Sequence, residues 1–214
     1  AALICVCMAL FFAWPGSVHS VERDLVFRQL SAERGLYQST ISALAQDRAG
    51  FIWIGTQSGL HRFDGQAIEF IRMTEDPEAP TEPFVSALAS DGADGLYVGT
   101  ATAGVAQLDL RTLRFESLPP TAHLDTKRAQ QVLQLIVDER GDLWIASHAG
   151  LEFLEKGANR RQVVWTPAKQ GSALGTRSMV GMAASDIGMV VAVGTKLLQV
   201  AAGREPTVLL DGDA

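Results

Sequence analysis

Beyond residue 20 the sequence holds no cysteine; Cys5 and Cys7 both lie in its apolar opening stretch. That absence excludes a disulfide framework, a thiolate metal site and a cysteine nucleophile from the remaining chain. Long basic runs are missing too. None exceeds Arg160-Arg161, and the formal net charge of −6 is spread along the chain. Such a distribution argues against a nucleic-acid partner and against a polybasic membrane patch. Long helical patterns are absent as well. What is present is 214 residues of 47% hydrophobic composition, enough for a real core in one large or two small domains.

The chain opens AALICVCMALFFAWPGSVHS. Residues 1–13 are all apolar, Pro15-Gly16 break the run, and Val18-His19-Ser20 offers small residues at positions −3 and −1 of a cleavage site. Residues 1–20 are thus expected to be a secretory signal peptide, processed after Ser20 to leave Val21 first. The initiator Met and positive leader of such a peptide are missing, so the record is expected to begin part-way into it. The alternative, an uncleaved anchor helix, is disfavoured because thirteen apolar residues fall short of the roughly 20 needed to span. Residues 21–214 form the exported remainder, and a cysteine-free exported domain suits a bacterial periplasm.

A repeat dominates the rest. QDRAGFIWIGTQSGLHRFDG at 46–65 returns as SDGADGLYVGTATAGVAQLD and again as VDERGDLWIASHAGLEFLE. Aspartates Asp47, Asp91, Asp138 and, in the weakest copy, Asp186 stand six residues before Trp53, Tyr97, Trp144 and Ala192. Three residues before each aspartate stands Leu44, Leu88, Leu135 or Ala183. The aromatic is followed by a β-branched, a small and a hydroxyl residue: Ile54-Gly55-Thr56, Val98-Gly99-Thr100, Ile145-Ala146-Ser147 and, in the fourth copy, Val193-Gly194-Thr195. Aspartate spacings run 91−47 = 44, 138−91 = 47 and 186−138 = 48.

Each unit reads as four short strands, in the first copy 41–46, 51–56, 60–63 and 67–72. Turn signals every 8 to 12 residues indicate all-β structure. FIWIG is a continuous apolar run, as expected of a strand buried on both faces between stacked layers. A four-stranded antiparallel unit of about 45 residues, repeated around an axis, predicts a β-propeller blade. Gly59, Gly104 and Gly150 fall where a tight hairpin needs positive φ or close backbone approach. The aspartates end first strands, where a carboxylate can accept backbone N–H groups of the next turn. The aromatics are expected to fill the gaps between blades. Four blades are visible, the last strand ending near residue 210, and single-chain propellers usually close with more. Residues 25–30 resemble an outermost strand whose three partners would lie beyond residue 214. The expectation is an incomplete seven-bladed propeller.

The block ISALAQDRAGFIWIGTQSGLHRFDG resembles the two-component regulator propeller repeat: an apolar strand, Asp-x-x-Gly, Leu-Trp-Ile-Gly-Thr, then Gly-Leu and an Asp. The lead-in VFRQLSAERGLYQSTI is similar to the stretch before the first such repeat. Residues 25–210 are covered. The fourth copy departs most, with Ala192 for the aromatic and no hairpin glycine after Thr195, so an irregular blade is expected there. The resemblance implies a periplasmic sensor of a one-pass membrane receptor. A β-sandwich, a transmembrane helix into the inner membrane and a cytoplasmic histidine kinase or GGDEF diguanylate cyclase would follow. Such receptors act as homodimers, and members with kinase outputs sense carbohydrate fragments. The lead-in and the ending Gly-Leu-x-Arg-Phe-Asp-Gly resemble repeats attached to GGDEF modules as much as those attached to kinases, and the cyclase is slightly preferred.

The periodic positions of the aspartates and of Trp53 and Trp144 assign them a structural role in place of sugar stacking. SDGADG at 90–95 lacks the further carboxylates of a calcium loop. His61, His123 and His148 have no second ligand at fixed offset. GTRSMVG at 175–181 lacks the spacing of a nucleophile elbow. No catalytic residue, metal site or cofactor is expected. A small ligand, with carbohydrate as a candidate class, would meet the face carrying the turns after the second strands and the long connectors 74–83, 119–130 and 166–178. That face offers Gln57, Ser58, Thr102 and His148. A secreted propeller enzyme of lyase or quinoprotein type would want clustered His, Arg and carboxylates at the axis, and none is visible. A Trp-Asp interaction scaffold would want Gly-His and Trp-Asp signatures, and these are missing.

Overall fold

The computed structural model describes residues 36, 40–73, 76–119, 121, 124–166, 179–186 and 188–212. The expected signal peptide 1–20, the lead-in strand 25–30, His123 and most of the third connector lie outside the described residues.

Sixteen strands form four antiparallel sheets of four among the described residues. The first sheet holds β1 (Ile41–Gln46), β2 (Ile52–Thr56), β3 (Gly59–Phe63) and β4 (Ile68–Ile71). The second holds β5 (Val85–Ser90), β6 (Gly95–Thr100), β7 (Val105–Asp109) and β8 (Arg114–Leu118). The third holds β9 (Val132–Val137), β10 (Leu143–Ser147), β11 (Gly150–Leu154) and β12 (Gln162–Trp165). The fourth holds β13 (Met179–Ser185), β14 (Gly188–Val193), β15 (Lys196–Val200) and β16 (Thr207–Asp211). Each strand pairs with its sequence neighbour, and the first strands of successive sheets lie beside one another. The strands expected from turn spacing in the first copy agree to within a residue. The only helix described is one turn, α1 (Thr126–Ala129), inside the second connector and capped by the Asp125 carboxylate.

The core lies between sheets. Trp53 packs with Leu60, Val85, Leu88 and Leu96 at the first joint. Tyr97 packs with Val132, Leu135, Leu143 and Ile145 at the second. Trp144 packs with Leu151, Met182, Met189 and Val191 at the third. Strands β6 and β10 are buried along their whole length, and β2 from Trp53 onward, because blades press on both faces. In β14 buried and half-buried residues alternate, since described residues pack tightly on one of its faces.

The pairings correct the reading of the fourth copy. Val193 pairs with Met179 as Thr56 pairs with Ile41, and both sheets carry a register shift at the next residue. Val190 therefore occupies the aromatic position, in place of Ala192. Met182 matches Leu44, in place of Ala183, and Ser185 takes the aspartate position, in place of Asp186. The turn after β13 is one residue shorter than after β1, and spacing alone placed that deletion wrongly. Nor is the blade irregular: Gly194, at φ +60°, supplies the hairpin glycine inside the turn.

Candidate functional site

In a four-stranded meander the turn from second to third strand and the connector leaving the fourth share one end of the sheet. The described hydrogen bonds tie these segments together. The Ala101 amide donates to the Phe84 carbonyl (3.0 Å), the Gly104 amide to Gln130 (2.9 Å) and the His148 amide to Gln131 (3.2 Å). The turn of the second blade is therefore held between both connectors. Thr102 Oγ1 adds a bond to Glu82 Oε2 (3.1 Å).

In the first three blades the turn is built by the hydroxyl that ends the second strand. Thr56 Oγ1 donates to the Gly59 carbonyl and accepts from the Ser58 amide, both at 3.1 Å. Thr100 does the same with Gly104 and Ala103, and Ser147 with Gly150 and Ala149. Gly59 sits at φ +135°, and a Cβ there would meet the Phe70 ring at 2.8 Å. Gly150, at φ +143°, faces the Trp165 carbonyl still more closely; Gly104 lies at φ +83°. Of the four face candidates, Gln57, Ser58 and Thr102 are exposed and His148 is half-buried. They stand on three different turns. Thr102 is joined to the first connector, His148 to the second.

The opposite end carries the aspartate turns. Asp47 Oδ1 accepts from the Phe51 amide (3.0 Å), while Oδ2 accepts from the Trp53 indole (2.8 Å). Asp138 accepts from the Arg140 and Asp142 amides on Oδ1 and from the Trp144 indole on Oδ2, all at 3.0 Å. Asp91 accepts only the Ala93 and Gly95 amides. Tyr97 has no N–H to offer, and burial with the nearby Asp91 charge pushes its phenol upward. Two grooves open at this end. One, of about 500 Å³, is lined by Asp91, Asp94, Asp109 and Arg114; the other, of about 310 Å³, by Asp138, Arg140 and Lys156. Asp91 and Asp109 hold backbone amides on Oδ1 at the first groove, and Asp138 does so at the second.

Sequence reasoning missed the buried Glu152 and Arg161, and weighed His61 only as a metal ligand. His61 and Glu152 have no exposed surface, and each follows its hairpin glycine by two residues. A polar residue in that slot of an otherwise apolar strand was the available signal. His61 lies 5.1 Å from the Phe70 ring, and desolvation holds its imidazole below the ordinary value against opposing bonds at Ile54 and Gly59. Glu152 pairs with Arg161 Nη1 at 3.3 Å. Burial lowers the Arg161 guanidinium, and Glu152 opposes the shift. Among the described residues no group of three His, Cys, Asp or Glu could hold a metal, and no helix is long and apolar enough to cross a membrane.

Sheets that each plug the next with an aromatic, first strands side by side, define a β-propeller. Residues 38–58, which include β1 and β2, match the family model of the two-component regulator propeller. Over 65 residues the chain is 34% identical to histidine kinase P4 of Formosa agariphila, spanning 30% of this chain and 5% of that protein. Among solved structures it is similar to the extracellular domain of the hybrid two-component system BT3049 of B. thetaiotaomicron. The TM-score is 0.68 at 18% identity, covering 86% of this chain and 26% of that one. The extracellular domain of BT4673 from the same organism gives 0.58 at 18% identity, covering 75% and 21%. The chain thus spans a small part of the length of each.

Proposed function

We propose that this chain is the exported, ligand-sensing propeller portion of a membrane signal-transduction receptor. The observation that carries the reading is the repeat at 38–58, matched to a family named for two-component regulators. The similar histidine kinase favours a kinase output over the diguanylate cyclase slightly preferred from the sequence. The ligand is a small molecule, for which carbohydrate is the leading class. It meets the face of Ser58, Thr102 and His148, where exposed side chains stand among two long connectors. A propeller without a catalytic cluster among its described residues acts by binding. Its ligand shifts a dimeric receptor between arrangements only by as much as its affinities for them differ.

The test is the reading frame beyond residue 214. A membrane span followed by a cytoplasmic histidine kinase or diguanylate cyclase is expected. A frame that ends without a span, in a protein recovered free in the periplasm, would replace the receptor with a secreted binding protein or enzyme.

A further inference from the structure

Glu152 occupies a slot that the second and fourth blades fill with apolar residues and the first with the buried His61, opposite Ile54. By strand pairing, Ile145 opposite Glu152 matches Val98 opposite Ala106 and Val191 opposite Leu198. Ala106 and Leu198 are buried without polar partners, so stacking one blade on another does not call for a carboxylate here. Burying an ion pair is commonly no better for stability than apolar residues of similar size. This pair is also imperfect, because Arg161 Nε is buried with no partner among the described residues. Its reason must lie in what it holds.

It holds a connector. Glu152 Oε1 accepts from the Thr121 amide (2.9 Å) and from the Thr121 hydroxyl (2.7 Å). That hydroxyl also lies 3.3 Å from the Arg161 carbonyl. Arg161 Nη2 donates to the Leu118 carbonyl at the end of β8. One buried cluster thus joins the last strand of the second blade, the chain leaving it, and the third blade. The first connector is pinned differently: its own Asp76 accepts the Phe115 amide from β8 (3.0 Å), where Ala106 offers no anchor.

We propose that Glu152 and Arg161 form a clasp that positions the connector between the second and third blades. By fixing Thr121, the clasp sets where the segment through α1 runs. It thereby sets the Gln130 and Gln131 carbonyls that hold the turns of Gly104 and His148. Both are positioning residues that touch no ligand, and their part in recognition rests on the reading of this face given above.

The test is amide hydrogen exchange by mass spectrometry on the full chain without ligand, paired with thermal melting. In the variant Glu152→Leu with Arg161→Met, the melting temperature should stay within a few degrees of the parent. Exchange in 121–131 should speed up about tenfold, with β10 and β11 still protected. Unchanged exchange in 121–131, or loss only together with β10 and β11, would overturn the clasp. Should that variant fail to fold, Glu152→Gln is the second arm. It keeps the size but weakens the bond to Arg161, and faster exchange in 121–131 is again expected; unchanged exchange there refutes the proposal. Because no ligand is used, failure here leaves the sensor reading standing, and failure to find a ligand leaves the clasp standing.

Discussion

Asp47 meets two demands with one carboxylate, closing the turn after β1 and accepting the indole N–H of a tryptophan with no exposed surface. Removing it strands both donors in or beside a packed seam. Asp47→Ala should lower unfolding free energy by about 2–3 kcal/mol in urea titration, whereas Asp91→Ala, which serves no indole, should cost about 1 kcal/mol. Equal losses would show that the indole bond is incidental. His61 predicts a pH dependence of definite sign. Its folded-state pKa is depressed by burial, so the unfolded chain binds the proton more readily. Stability is full above about pH 6.5, the unfolded value, and falls as pH drops through 6.5 toward the folded value. Chemical denaturation at pH 7.5 and pH 5.5 should show the loss, and His61→Phe should flatten it. Asp64, Asp76 and Asp109 act lower down: backbone amides depress each, so their contribution is present above the ordinary carboxylate value and lost as pH falls further.

At the scale of the element, the joint between blades follows a local rule. The bulged serine of each of the first two inner strands reaches the next blade: Ser42 Oγ donates to the Val85 carbonyl and Ser86 Oγ to Val132 (2.8 Å). At the third joint Gln134 exchanges two bonds with the Met182 backbone, both at 2.8 Å. The second strands come close enough that a Cβ on Gly55 would lie 2.7 Å from Val85 Cγ1, and one on Gly99 2.6 Å from Val132 Cγ1. Gly55→Ala should therefore destabilise by about 1–3 kcal/mol through overpacking, measurable by calorimetry. A neutral result would mean that the first and second blades have slack. The third blade carries Ala146 in this slot, so the glycine answers the valine opposite it and no requirement of the strand.

At the scale of the molecule, the faces that mate within the chain recur uncovered at its two ends. Leu44 is 61% exposed, although its register partners Leu88 and Leu135 are 8% and 5% exposed. Ile41, Leu197 and Leu210 are exposed too, although their register partners Val85, Leu60 and Ile71 are buried. Apolar faces of this kind promote association. Residues 21–214 expressed alone should self-associate at micromolar concentration in light scattering, and Leu44→Lys with Leu210→Lys should shift the population toward monomer. A monodisperse parent that melts cooperatively would show that the four blades suffice by themselves.

The repeat in the sequence determined the all-β class, the four blades and the strands of the first to within a residue, because every blade meets the same packing problem with the same residues. It also marked Asp47, Trp53 and Gly59 as scaffold. It could not say why aspartate and tryptophan stand six apart, since the indole bond forms only when turn and strand fold back on each other. Nor could it align the fourth copy, where a one-residue deletion leaves the spacing plausible and only strand pairing shows Val190 in the aromatic slot. Glu152, Thr121 and Arg161 lie up to 40 residues apart and look like ordinary surface polars in a list. Burial brings them together, and burial is a property of blade against blade that no single repeat contains.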